Sequence, residues 1–198
     1  MRSAFDKLLS WTGLALAAVL LVAGGLLTWA NVFIDNQVTD QLTMQGITMP
    51  EGDALTSLPK ADADALEPYA GSAMDTGPEA KAYADHYILA HMNEASDGQT
   101  YAEVSGQYVS MTPEQQASAE GQALGGLRQT LFMGSTLRGL LLYAYAFATI
   151  GTIAGIAAIA AFVGAGVLLL LFGLGIWHAR RAQARVGIDA GAPVPQPV

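Results

Sequence analysis

Two stretches of the chain carry no charge, one from Leu8 to Ile34 and the other from Gly139 to Ala179. Each exceeds the roughly 20 apolar residues that carry a helix across a bilayer. A core helix of a soluble protein has no need of such a run. Backbone in lipid does, because only a helix satisfies its own amides there. The pattern predicts an all-α membrane protein, with two transmembrane helices and an extracytoplasmic helical domain between them. The expected divisions are an N-terminal segment (1–7), a first span (8–32), an outer domain (33–138), an interfacial or extracytoplasmic helix (139–153) continuing into the second span (154–177), and a tail (178–198).

Trp11 and Trp29 are eighteen positions apart, about 27 Å along a helix. Both indoles then fit headgroup levels, as interface anchors. Ile34, Val38 and Leu42 continue a helical stripe toward Gly46, a C-terminal stop. The second run holds forty-one residues, about 60 Å of helix and twice the hydrocarbon thickness. Trp177 and the arginines behind it fix its inner end, and about twenty residues back the outer boundary falls near Ile156. Tyr143 and Tyr145 become anchors above that boundary. Leu137, Leu140, Leu141 and Ala144 are expected to close the floor of the outer domain. The Gly- and Pro-rich sequence after Arg185 predicts disorder.

Between the runs the signals are helical. Pro50, Gly52, Ser57 and Pro59 mark a loop, Ala61 to Glu67 a short helix, and Gly71 to Gly77 a second loop. Pro78 suits the first position of a helix that ends near Ser96 to Gly98, with Tyr83, Tyr87, Ala90, His91 and Met92 along one broad face. Thr100 with Glu103 and Thr112 with Gln115 are capping-box spacings, the second opening a helix toward Phe132. No stretch alternates like a strand.

Charge supplies the orientation. From Asp35 to Arg138 fifteen acids face Lys60, Lys81, Arg128 and Arg138, a net of −11 within a chain of net −8. The basic residues Arg2, Lys7, Arg180, Arg181 and Arg185 flank the runs. Lys and Arg beside a span stay cytoplasmic, so both ends are expected inside and the acidic middle outside. That acidity and location argue against nucleic acid as a partner. The chain has no cysteine, which excludes disulfide, thiol and zinc-thiolate chemistry. Thr28-Trp29-Ala30 resembles a cleavage site, but the apolar run is longer than a signal h-region, and an uncleaved anchor is expected.

The opening FDKLLSWTGLALAAVLLVAGGLLTWA, the central LEPYAG, AKAYADHYI and TYAEVS, and the late LFMGSTLRGLLLYAYAF with a Gly/Ala-rich span ending in HARR resemble a family of small actinobacterial two-span membrane proteins. The resemblance covers nearly all of the chain from Phe5 to Arg181 and implies an actinobacterial plasma membrane. Some members of that family are labelled aromatic ring-opening dioxygenases, a label that carries no residue role onto this sequence.

Such an enzyme needs two His and a carboxylate around iron. His86 and His91 are five positions apart, about 140° around a helix, and cannot share one metal. His91 with Glu94 is better spaced, but nothing marks a third ligand. Asp62, Asp64 and Glu67 lack the glycine and alternating oxygens of a calcium loop and read as solvated carboxylates. His91 is expected beside Tyr87, with His86 and Glu94 solvated. Tyr83, Tyr87, Tyr101 and Tyr108 fit core positions with wetted hydroxyls better than a ligand groove. No nucleophile elbow or phosphate loop is present. No catalytic residue, metal site or cofactor is expected.

The small residues of the runs are the stronger signal. Gly151 and Gly155 form GxxxG, Ala158 and Ala161 continue below them, and Gly13, Ala17 and Gly25 share a face of the first run. Small residues let helices in lipid approach closely. They serve packing of the two spans on each other, or a partner membrane protein, or self-association. The expected function is that of a non-enzymatic accessory or scaffolding subunit of a larger membrane or envelope complex, with the lipid bilayer as its first partner. A ligand-binding or sensing module working through a partner is the alternative. An oligomeric channel or transport component is a third class, disfavoured by spans without ionisable residues.

Overall fold

A computed structural model describes the backbone of residues 2–190 and the side chains of residues 8–181. The expected cytoplasmic placement of Met1 and Val198, and the proline-rich end of the tail, lie outside the described residues. The chain is all-helical, with no strand among the described residues. Two of its helices, α1 (Arg2–Met44) and α8 (Ala119–Ala190), are long and apolar enough to cross a membrane. Neither contains proline, since no proline precedes Pro50 and none lies between Pro113 and Pro193.

Residues before Phe33 and after Gly151 form one compact unit, and Phe33–Gly151 form another. The first unit is the paired apolar parts of α1 and α8. Only 11% of each apolar stretch is buried. Large side chains such as Leu16, Val22, Leu26, Ile159, Val163 and Leu170 point outward.

The second unit assembles short helices against the remaining turns of α1 and α8. They are α2 (Asp53–Thr56), α3 (Lys60–Leu66), α4 (Gly77–Ala82), α5 (Leu89–Ser96), α6 (Tyr101–Ser110) and α7 (Pro113–Ala117). A 3-10 turn, Glu67–Tyr69, follows α3, and a π-helical turn, Tyr83–Ile88, joins α4 to α5. Val38, Leu42, Met49, Leu58, Leu66, Met74 and Leu141 are buried in one core, with Ile34, Ala144 and Ala148 packed against it.

The element ends follow local chemistry. Gly46 leaves α1 at φ 63°, a left-handed conformation that glycine adopts without Cβ strain. Thr76, Thr100 and Thr112 each close a capping box, with Glu79, Glu103 and Gln115 respectively. Asp97, at φ 52°, ends α5.

Several expectations are corrected. The segment 47–59 contains α2, and its start is paired with the second loop: Met49 N–H donates to Ser72 O at 2.8 Å, and Met74 N–H to Ile47 O at 2.9 Å. Backbone groups that leave a helix and become buried need such partners. The helix opened by Thr112 stops at Ala117, because Ser118 is extended with ψ 162°. From Ala119 a single helix passes through Arg138 without a break. That helix also continues to Ala190, past the point where disorder is expected. Of the four residues assigned to the floor, Leu141 is buried and Ala144 packs on the core, whereas Leu137 and Leu140 are exposed. One helix face cannot hold them all, since Leu140 and Leu141 diverge by about 100°.

Candidate functional site

The seam between the apolar helices has a seven-residue repeat. On α1, Ala17 and Gly24 are buried at that interval, between Ser10 at 8% exposure and half-buried Asn31. On α8 the series is Gly151, Ala158 and Ala165, continued by half-buried Phe172 and by Ala179. Seven residues cover two turns with a small residual rotation, so a repeat of this period keeps one seam turned toward a neighbouring helix.

The contacts in this unit are antiparallel. A Cβ built on Gly24 would lie 2.9 Å from Phe162 Cε1, and one on Gly164 would lie 3.2 Å from Leu20 Cδ1. A Cβ on Gly155 would meet the Asn31 amide at 3.2 Å, and one on Gly175 would collide with the Ser10 side chain. Residue numbers rise on one helix as they fall on the other. The small residues thus seat the side chains of the chain's own opposite helix. Trp11 and Phe172 meet edge-on at 5.9 Å.

The sequence-predicted packing residues divide. Ala17, Gly151 and Ala158 are buried, Gly155 faces Asn31, and Ala161 is half-buried. Gly13 and Gly25 have nothing within 4 Å of a Cβ position, so no side chain of the opposite helix sits on them. Gly13 instead borders an open apolar groove beside Leu16, Phe172 and Gly175. Gly25 falls one residue off the seam, and Gly24 takes its place. Ser10, Asn31, Gly24 and Gly175 were not singled out by sequence. Ser10, Gly24 and Asn31 carry the seven-residue spacing through Ala17, whereas Gly175 lies outside that series.

Among the anchors, Trp11, Trp29, Tyr143 and Trp177 are exposed. The Arg181 guanidinium stacks 3.9 Å above the Trp177 ring. Tyr145 is half-buried and lies under Lys81, whose Nζ is 5.7 Å from the ring centroid.

The second unit gathers its polar chemistry around the π turn. Asp85 bridges two cations: Lys81, one turn before it, and Arg138 on α8, whose guanidinium donates to Asp85 Oδ1 at 2.8 Å. Arg138 Nε also donates to the Ala84 carbonyl at 3.0 Å, so one side chain fastens the widened turn to α8. Burial pushes the Asp85 carboxyl up, but hydrogen bonds and charge from Lys81 and Arg138 outweigh it and hold it below its ordinary value. Tyr83, Tyr87 and His91 stack in a column, with centroids 4.8 and 4.5 Å apart. Burial raises the Tyr83 phenol.

Glu79 carries a second cluster. Its side chain is only 8% exposed, yet it accepts from Ser72 Oγ at 2.9 Å, Asp75 N–H at 3.0 Å, Thr76 N–H at 3.0 Å and Thr76 Oγ1 at 2.7 Å. Burial pushes this carboxyl up, and the four donors together reverse the effect and hold it below the usual range. A buried carboxylate so fully engaged organises backbone.

His86 is not solvated as expected. Its Nδ1 lies 2.9 Å from Asp62 Oδ1, and both side chains are partly covered. Asp64 instead pairs with exposed Lys60. Asp62, Asn93 and Glu94 border a shallow hollow of about 450 Å³ with Ser57 and Leu58. Among the described residues, no three His, Asp or Glu converge in a metal-binding geometry. No family model, curated protein or solved structure matches the chain.

Proposed function

We propose that the protein spans the membrane twice, with both termini cytoplasmic and Phe33–Gly151 outside, and acts as a non-enzymatic accessory or scaffolding subunit of a larger membrane or envelope complex. The resemblance to actinobacterial two-span proteins is part of this reading and locates it in the plasma membrane. The observation that carries it is the outward-facing apolar surface of α1 and α8, whose most apolar stretches are each only 11% buried. Water would leave that surface without a favourable environment; hydrocarbon solvates it. The charge pattern orients it.

The accessory role is supported by how the second unit uses its polar groups. Glu79 caps a helix, and Asp85, Lys81 and Arg138 tie a turn to α8. These are positioning contacts.

Single cysteines at Ser3, Gly98 and Gln196 test the topology in intact cells with an impermeant thiol reagent. Gly98 is expected to label, and Ser3 and Gln196 to label only after lysis. Protection at Gly98, or labelling at either end in intact cells, refutes the arrangement. Gentle solubilisation and affinity purification test the role, with a stoichiometric membrane complex expected. A lone protein carrying a bound small molecule would favour the sensing alternative.

A further inference from the structure

Of the small residues that the sequence offered to a partner, Ala17, Gly151 and Ala158 are buried within the chain and Gly155 faces Asn31. A different surface is left uncovered. On α8 within Phe33–Gly151, Met133, Leu137, Leu140, Tyr143, Phe147 and Ile150 lie on one face and are each at least half exposed. At 100° per residue they cover an arc of about 140°. The opposite side of the same turns, with Arg138, Leu141, Tyr145 and Ala148, is turned to the unit's interior.

This face changes character along the helix. At seven-residue steps one column reads Gln122, Gln129, Thr136, Tyr143 and Ile150, and the next reads Ala119, Gly126, Met133, Leu140 and Phe147. Polar or small residues give way to bulky apolar ones. Lipid does not account for the change. In the same unit Ile34, Val38 and Leu42 of α1 belong to the core that holds Leu141 and Ala148, and Asp35 and Asp40, which lie between those α1 residues in sequence, are exposed. Two exposed carboxylates are not carried into hydrocarbon.

We propose that this face is the contact between two copies of the chain, α8 against α8. Three observations fit a second copy. The six side chains present roughly 700 Å², against about 800 Å² per partner in a standard interface. The segment Asp35 to Arg138 carries a net of −11, so two copies repel unless they meet where acids are absent, and α8 has no charge from Gly139 to Ala179. A face without charge can also meet its own copy, as a two-fold interface requires. The parallel orientation rests on the two-span reading, because copies inserted in one membrane share a direction. A two-fold axis along paired helices then sets each residue opposite its own copy.

The cysteine-free chain makes the test direct. Single cysteines at Leu140, Phe147, Gln122 and Glu94 are oxidised in native membranes of the full-length protein. Disulfide-linked homodimers are expected at Leu140 and Phe147, several-fold above Gln122 and Glu94. Leu140→Arg is expected to turn a dimer into a monomer by light scattering in detergent, with helix content unchanged. No homodimer at Leu140 or Phe147, equal cross-linking at all four positions, or cross-links to a different protein would each overturn the proposal. Recovery in the soluble fraction would instead refute the two-span reading, and light scattering of that soluble protein still decides between dimer and monomer.

Discussion

Gly77 is the first residue of α4, and it is where α4 touches α8. A Cβ there would collide with Ala148 Cβ and lie 3.2 Å from Tyr145 Cα and 3.6 Å from the Ala144 carbonyl oxygen. None of these is the free end of a flexible side chain, so Gly77→Ala cannot be absorbed by a rotamer change. Restricting the unfolded backbone stabilises by about 0.4–1 kcal/mol, while overpacking in a fixed environment costs about 1–3 kcal/mol. The second effect wins, for a net loss of about 1–2 kcal/mol. In a unit of this size that corresponds to a fall of roughly 5 °C in unfolding temperature. Calorimetry in detergent measures it, and hydrogen exchange at Ala80 to Ala84 locates it. Ala148→Gly removes the nearest obstacle, so the double variant is expected to be more stable than the two single losses added together, by about 1 kcal/mol. A higher unfolding temperature for Gly77→Ala, or strict additivity in the pair, would refute the packing of α4 on α8.

Two further outcomes follow from the same geometry. Because the folded Glu79 carboxyl is held below its ordinary value, its contribution is present above the unfolded value, about 4.3, and is lost as pH falls through the folded one; Glu79→Gln should therefore destabilise at neutral pH by about 1–3 kcal/mol, with the gap in unfolding temperature closing at low pH, and a gap independent of pH would contradict the ionised cluster. Gly155→Leu must displace the Asn31 amide that lies 3.2 Å from its Cβ position, so it should lower thermal stability equally at every protein concentration, and a loss that appears only on dilution would mean that the seam joins two molecules.

In the second unit the helix ends were legible because each is set by a few adjacent residues. Thr100 with Glu103, Thr112 with Gln115, and Gly46 past the end of α1 announce themselves at fixed offsets. What was not legible depends on pairs far apart in sequence. Arg138 meets Asp85 across fifty-three positions, and His86 meets Asp62 across twenty-four. Nothing local separates these from solvated charges. The π turn is similar: Tyr83 to Ile88 reads as ordinary helix, and the Ala84 carbonyl is taken by an Arg138 side chain from α8. Glu79 lies in the first turn of α4. Its reach to Ser72 required the loop to fold back, which the bridge between Thr48 and Ala73 accomplishes.

The seam was half legible for a different reason. A search for small residues four apart asks where two helices touch once, and it finds Gly151 with Gly155. Helices that stay together over many turns must repeat at seven, because four residues overshoot a turn and three fall short. Ser10, Ala17, Gly24 and Asn31 satisfy that longer rule, and Gly25 and Gly13 do not continue it. Two members are polar, Ser10 and Asn31, and both meet glycines on α8, Gly175 and Gly155. A polar side chain set against a glycine brings its hydrogen-bonding groups close to the opposite backbone while adding little bulk between the helices. This favours one register: sliding α8 by four residues would set Ser10 against Leu171 or Ala179 and Asn31 against Gly151 or Ile159, so neither slide keeps both polar side chains on glycines. The seam therefore does more than permit close approach. It selects one alignment of α1 on α8.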